Sequence, residues 1–234
     1  MLIAHRGNKI QQPENTISSF ESAHGLGTCA IETDIQMSAD GTPWCFHDDD
    51  LLRVAGRPEK FFELEDTEIA ELRIDGAGLA TARELIDWVG RHPHLDCFLE
   101  LKPSSLGHFG FELVIEHLAR ILPKDTSPFI VVTRDCESLR FARSRGCHRV
   151  GLNIKSLAEC LRPEVVTLAP DYLFIRDSRV NADELPPGPW QWVVYEVNEP
   201  EQAVEWSSRG AHHILTGDLP RLMRSREASN VYGL

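Results

Sequence analysis

Short apolar runs rich in β-branched residues alternate along this chain with longer stretches of helical periodicity. The runs predict strands at Leu2–His5, Ala30–Met37, Pro43–His47, Asp96–Leu101, Pro128–Thr133, Arg149–Asn153, Tyr172–Ile175, Gln191–Val197 and His213–Thr216. Several are continuously apolar, as expected of parallel strands covered on both faces. The amphipathic stretches predict helices at Asn15–Gly25, Ala82–Arg91, Phe109–Leu122, Cys136–Arg145, Ser156–Leu161 and Glu199–Ser208. Pro43–His47 stands apart, because it follows the turn signal Ala39-Asp40-Gly41 and so reads as a hairpin partner of the strand before it.

Removing that run leaves eight strands, most of them followed by a helix. The alternation fits a (β/α)8 barrel or an open doubly wound sheet. Eight strands in 234 residues suit the TIM-type barrel. The G-x-G-x-x-G turn of a dinucleotide site is missing after the first strand. We expect one barrel domain over residues 1–234, with residues 53–78 inserted in a βα connection near the mouth of the site. Within that insertion Arg57-Pro58-Glu59-Lys60 reads as an exposed turn and Asp66–Leu72 as a short helix. Pro186-Pro187-Gly188-Pro189 is a stiff loop and not a linker, since the strand rhythm resumes at Trp190.

Composition narrows the partners. Hydrophobic residues make up 42% of the chain, enough for a sizeable core. The net charge of -12 argues against nucleic acid, whose binding needs a basic face. It leaves room for a small phosphate ester, because a pocket's field is set by its own groups and ions. The six cysteines form no C-x-x-C pair and the start of the chain carries no signal-peptide pattern, so reduced thiols and a cytoplasmic location are expected. No apolar run reaches the length of about 18 residues that a spanning helix needs, and no stable membrane insertion is expected. The sequence gives no sign of oligomeric state.

Candidate chemistry collects at predicted strand ends. Glu32 and Asp34 alternate with Thr33, so both point to one face. Taken alone, such a pair reads most simply as a polar strand end facing water. Glu100 and Lys102 repeat the device in Phe98-Leu99-Glu100-Leu101-Lys102-Pro103, where a salt-bridged edge is the simplest account. Together, Glu32, Asp34 and Glu100 make an all-oxygen set suited to one hard divalent cation, magnesium or calcium. Zinc fits poorly, since no cysteine or histidine cluster has its spacing. His5 and His47 end the first strand and the hairpin run, where barrel enzymes keep their active sites. Two imidazoles can supply general acid and general base near pH 7. Asp48 stands ready to orient His47. Arg6 offers a fork for phosphate oxygens and Lys102 a point charge.

The order HRG, PENT, IETD, DG followed by FHD, then LELK resembles the glycerophosphodiester phosphodiesterase family. The resemblance covers most of the chain, with its specific motifs in the first 103 residues. It implies a TIM-type barrel and metal-dependent hydrolysis of glycerophosphodiesters to glycerol 3-phosphate and an alcohol. It implies that Glu32, Asp34 and Glu100 hold the metal, that His5 and His47 are acid and base, and that Arg6 and Lys102 bind phosphate. In the implied mechanism a glycerol hydroxyl attacks its own phosphorus, a step that loses little translational entropy, and water then opens a cyclic phosphate. Glu14 and Asn15 match the family too; Asn15 can cap the helix that follows.

The C-terminal third departs from the family's pattern. Tyr195-Glu196-Val197-Asn198 replaces a W-T-V-N-like strand; Tyr195 would offer an aromatic wall to the glycerol, while Glu196 falls on the parity that points to the helices unless the strand end twists or bulges. His212-His213 replaces an Asp-Gly pair, and Thr133-Arg134 stands where Ser-Phe is usual. These departures are expected where the leaving group sits, so they bear on substrate choice. Two other functions stay open at this stage: cleavage of lysophospholipids with Phe61 and Phe62 against the lipid chain, and phosphodiester binding without turnover.

Overall fold

The predicted apolar runs close into a ring of parallel strands. The computed structural model describes residues 1–232. Its strands are β1 (Leu2–His5), β2 (Ala30–Met37), β3 (Pro43–Cys45), β4 (Arg73–Ile74), β5 (Ala77–Gly78), β6 (Asp96–Leu101), β7 (Phe129–Thr133), β8 (Arg149–Asn153), β9 (Tyr172–Arg176), β10 (Gln191–Tyr195) and β11 (His213–Thr216). The order β1-β11-β10-β9-β8-β7-β6-β2 closes through a β1–β2 pairing, and every pair in the ring is parallel. This is the TIM-type barrel. β3 pairs antiparallel with the end of β2, as the hairpin signal indicated.

Alternation along the strands decides what each face meets. Leu2, Ile31, Leu99, Val131 and Val150 pack outward against the helices in the main core. Ile3, Ala30, Phe98, Ile130, Phe174, Val193 and Leu215 fill the barrel axis. Register then carries the polar residues to one level, because His5 pairs with Glu32 and Asp34 with Glu100. Glu32 and Asp34 share parity with Ala30, and Glu100 with Phe98, so all three carboxylates face inward above the apolar plug.

The opposite end of the axis is closed by polar pairs. Arg149 grips Asp96 with both terminal nitrogens at 2.7 and 2.8 Å. The Met1 ammonium lies 3.0 Å from His213 Nδ1, and His213 Nε2 meets Gln191. Burial pushes His213 down to about 3, so the ring is neutral. The pair His212-His213 therefore lies at the start of β11, away from the C-terminal rim. The expectation that this departure borders the leaving group is overturned.

Several helix bounds differ from the sequence reading for physical reasons. Thr16, not Asn15, caps the first helix (Ile17–Gly25), accepting from Ser19 N–H at 3.2 Å in a capping box. The stretch Phe109–Leu122 is preceded by a helix over Pro103–Phe109, and Gly110 at φ +83° breaks the chain before Phe111–Ile121. Ser156–Leu161 is a 3-10 helix over Leu157–Leu161, followed by a helix at Pro163–Leu168. Helices at Leu219–Arg224 and Arg226–Tyr232 follow β11 without having been anticipated. Between the hairpin and β6, residues 44–79 build a small core of their own from Trp44, Phe46, Leu51, Phe61, Leu64, Ile69 and Ile74. Phe61 is buried there, and Phe62 stacks on His108 with ring centres 4.2 Å apart. Phe61 stacks on Phe46 within the small core, and Phe62 packs the segment onto the helix Pro103–Phe109.

Candidate active site

The chain turns sharply once β1 delivers His5. Arg6 and Gly7 both have left-handed backbones, at φ +60° and +75°. Arg6 N–H donates to the Glu32 carbonyl at 2.9 Å and faces its Oε2 at 3.2 Å. A Cβ on Gly7 would lie 2.3 Å from Ser19 Oγ, so only glycine fits below the first helix. The sequence His-Arg-Gly is thus a strand end followed by a reversal that lays the Arg6 side chain across the barrel mouth. Arg6, Asn15 and Glu196 are non-glycine residues with positive φ, and all three belong to this rim.

Asp34 is the electrostatic centre. It is 1% exposed. Its Oδ2 lies 3.0 Å from Arg6 Nε and accepts from Asn15 Nδ2 at 3.2 Å, while its Oδ1 accepts from Lys102 Nζ at 3.0 Å. Burial alone would raise its carboxyl, but the Lys102 and Arg6 charges outweigh it and hold the value at about 2. Asn15 Oδ1 also accepts from Asp34 N–H at 3.4 Å and from Thr33 Oγ1 at 2.9 Å. Its left-handed backbone and both its amide atoms therefore serve Asp34, not the helix cap expected of it. Glu14 accepts from Arg6 NH1 at 3.2 Å and pairs with Arg53 as well.

Glu32, Asp34 and Glu100 each bring a carboxylate oxygen to one point, all within 4.8 Å of one another. Two bonds of about 2.0–2.6 Å to a hard cation span a comparable distance. Glu32 Oε1 is buried without a hydrogen-bond partner, which is costly unless a ligand meets it. Burial first, then Asp34 and Glu100, raises the Glu32 carboxyl well above its ordinary range. Burial also raises Glu100, opposed by Lys102 and reinforced by Asp34. These residues fit one divalent cation bound through oxygen. Three carboxylates against Arg6 and Lys102 leave one negative charge; a divalent ion turns it positive, and a phosphodiester would neutralise it.

The histidines stand on either side. His47 Nδ1 is 2.6 Å from Asp48 Oδ1, and Asp48 Oδ2 accepts from Arg53 Nε at 2.6 Å. Asp48 accepts, so Nδ1 carries the proton and Nε2 is the free basic nitrogen of a ring that lines the cavity. His5 Nδ1 is 3.3 Å from Lys9 Nζ, and its Nε2 is 3.8 Å from Glu32 Oε2. An ammonium can only donate, so the proton of neutral His5 sits on Nε2. Burial first, then Lys9 and Arg6, lowers His5 well below its ordinary value.

His5, Arg6, Glu32, Asp34, His47, Glu100 and Lys102 line one cavity of about 180 Å³ at the C-terminal rim, together with Tyr195, whose hydroxyl donates to Asn153 at 3.3 Å. The sequence reading missed Arg176 and Arg179, which also line it, and noted Arg134 only as a departure. A signal was available for Arg134 and Arg176, which directly follow predicted strands, but not for Arg179, three residues further along a loop. Glu196 lines the cavity too, contrary to its expected direction toward the helices. β10 ends at Tyr195, and the left-handed backbone of Glu196 at φ +67° swings its carboxylate over the rim to Arg176.

Residues 5–124 match the model of the glycerophosphoryl diester phosphodiesterase family. A glycerophosphodiester phosphodiesterase of Caldanaerobacter subterraneus subsp. tengcongensis is 26% identical over 93% of this chain and 94% of its own. A mouse glycerophosphodiester phosphodiesterase domain-containing protein 4 is 45% identical over 58 residues, 25% of this chain and only 9% of the mouse protein. Among solved structures, an Oleispira antarctica phosphodiesterase in complex with the product sn-glycerol-3-phosphate aligns with a TM-score of 0.79 at 20% identity, over 98% of this chain and 96% of that one. A Silicibacter pomeroyi protein described as a glycerophosphoryl diester phosphodiesterase aligns with a TM-score of 0.80 at 19% identity, over 99% and 92%.

Proposed function

The chain belongs to the glycerophosphoryl diester phosphodiesterase family, and from that premise we propose that it hydrolyses small glycerophosphodiesters to glycerol 3-phosphate and an alcohol. One observation carries the reading: Glu32, Asp34 and Glu100 converge in the same cavity as His5, His47, Arg6 and Lys102. A bound divalent cation, magnesium or calcium, would supply Lewis-acid stabilisation of phosphoryl charge and would be held by Glu32, Asp34 and Glu100. Arg6 and Lys102, already aimed at Asp34, orient the phosphate oxygens. His47, fixed by Asp48, presents Nε2 as the base that takes the proton of the glycerol hydroxyl next to the phosphate. That oxygen bonds to phosphorus as the bond to the alcohol breaks, and His5 delivers a proton to the departing oxygen. For this step His5 must be the imidazolium, a form that burial, Lys9 and Arg6 oppose and Asp34 favours. Water then opens the cyclic phosphate. Tyr195 forms an aromatic wall beside the glycerol.

Among the described residues no helix is long and apolar enough to cross a membrane. All six cysteines are free and five are buried, which suits a reducing cytoplasm. The test is glycerol 3-phosphate release from glycerophosphocholine and glycerophosphoethanolamine. Release is expected to disappear on chelation and return with magnesium or calcium. Folded protein that releases nothing with either metal would defeat the proposal.

Cation binding should also show in stability. Glu32 and Glu100 have raised values in the folded chain. A raised carboxyl holds a proton that the unfolded chain has released, so stability falls as pH climbs from the ordinary glutamate range through the raised values. A cation that fixes the ionised form removes this loss. The Tm gain of chelator-treated protein on adding metal is therefore expected to be larger near about pH 8 than near about pH 5. Equal gains would mean that these carboxylates do not bind the ion.

A further inference from the structure

The walls of the cavity differ in character. Carboxylates and histidines rise from β1, β2, the hairpin and β6. Arginines rise from the rest of the rim: Arg134 follows β7, next to the strand of Glu100, while Arg176 ends β9 and Arg179 closes the 3-10 turn Asp177–Arg179. In the ring of eight strands β9 stands across from β2. Arg134, Arg176 and Arg179 all line the cavity.

These arginines are poorly used by the protein itself. Among the described residues, Arg134 and Arg179 have no hydrogen-bond or ion-pair partner. Arg176 pairs with Glu196 through NH2, yet its Nε is buried without an acceptor. Three guanidinium charges against one carboxylate leave this wall positive, in a chain whose net charge is -12. Arg134 is near enough to Glu100 to favour its ionised form. The plain alternative is a pair of solvated surface arginines and a rim ion pair. It does not explain why cationic side chains gather on the inner face of an acidic protein, nor the buried donor of Arg176.

The phosphodiester carries a single negative charge, and Arg6 and Lys102 already stand beside the cation site that would receive it. The arginine wall faces what lies beyond phosphorus, which is the alcohol half of the substrate. A cationic alcohol would meet Tyr195 and Glu196 there, but Glu196 is already engaged by Arg176. Guanidinium forks match carboxylate and phosphate oxygens in pairs.

We propose that Arg134, Arg176 and Arg179 select glycerophosphodiesters whose alcohol bears its own anion, a carboxylate or a phosphate. The inference rests on the phosphodiesterase reading above. Glycerophosphoserine and glycerophosphoethanolamine differ by one carboxylate, and glycerophosphoinositol 4-phosphate differs from glycerophosphoinositol by one phosphate. These two pairs separate the two sources of charge.

The experiment is kcat/KM for all four substrates in metal-loaded protein, at low and high salt, for wild type and for the Arg134→Gln/Arg179→Gln double variant. Both side chains are exposed, and circular dichroism would verify the fold. Wild type is expected to favour the charged member of at least one pair by about tenfold or more, with the ratio shrinking at high salt. Preference in the serine pair assigns the wall to carboxylates, and preference in the inositol pair assigns it to phosphates. The double variant should bring the favoured ratio toward unity, because it loses more on the charged substrate than on its partner. Ratios near one in wild type, or a preference that the double variant retains, would overturn the assignment. Release from none of the four substrates would overturn the phosphodiesterase reading along with it.

Discussion

Replacing His47 with alanine is expected to lower kcat for glycerol 3-phosphate release by about 10²–10⁴-fold, the range that one positioned acid or base supplies. Three features lead to that size of effect. His47 is held by Asp48 at 2.6 Å, and Asp48 is held in turn by Arg53. The ring is only partly buried, so its loss leaves no large void. It lies outside the carboxylate cluster, so cation binding should persist. Calorimetric titration of the variant with magnesium or calcium would verify this last point. His5→Ala should behave alike in kcat. A loss of less than about tenfold in both variants, with cation still bound, would remove the histidines from the chemistry.

Asp34→Ala carries the largest expected cost in stability. Both carboxylate oxygens are occupied, by Lys102 on one side and by Arg6 and Asn15 on the other. Lys102 is 8% exposed. Removing Asp34 leaves the buried Lys102 ammonium without its hydrogen-bonded anion and the largely buried Arg6 guanidinium held by Glu14 alone. Breaking a buried pair in this way costs about 3–5 kcal/mol. For a chain of this size each kcal/mol shifts Tm by about 2–4 °C, so a fall of about 6–20 °C is expected. The sign with pH follows from the depressed value of about 2: the contribution is present above the ordinary aspartate range and is lost as pH falls through that value. A thermal melt of the metal-free variant decides the matter. A Tm within about 2 °C of wild type would show that the two cations find water instead.

The barrel was legible because its strands are buried on both faces and read as unbroken apolar runs. The catalytic candidates were legible because strand alternation fixes direction once the runs are placed. Glu32, Asp34 and Glu100 face the axis for the same reason that Ala30 and Phe98 do. What escaped is geometry that alternation does not govern. Glu196 reverses its side through a left-handed backbone, which nothing in Tyr195-Glu196-Val197 announces. Asn15 was expected at a helix cap, its commonest use, and instead serves a buried aspartate. Arg176 and Arg179 were passed over because a cation after a strand usually faces solvent. His212 and His213 carry the opposite lesson: they departed from the family's pattern but lie at the far end of the axis, with the chain's amino group.

The small core beneath the hairpin has a consequence for how this protein fails. Residues 44–79 bury their apolar side chains mainly among themselves, in a cluster separate from the two that hold the barrel. Segments of this kind open as units before the rest of a fold. Arg53 rides on this segment, whereas His47 stays with the ring, since Phe46 N–H donates to the Asp34 carbonyl at 3.0 Å and Gln36 Nε2 to the Asp48 carbonyl at 2.6 Å. Mild heat or denaturant would then pull Arg53 away from Asp48 while His47 and the eight strands stay in place. Activity would weaken before unfolding and recover on cooling, because the base would lose the brace behind its orienting carboxylate and keep its place in the barrel.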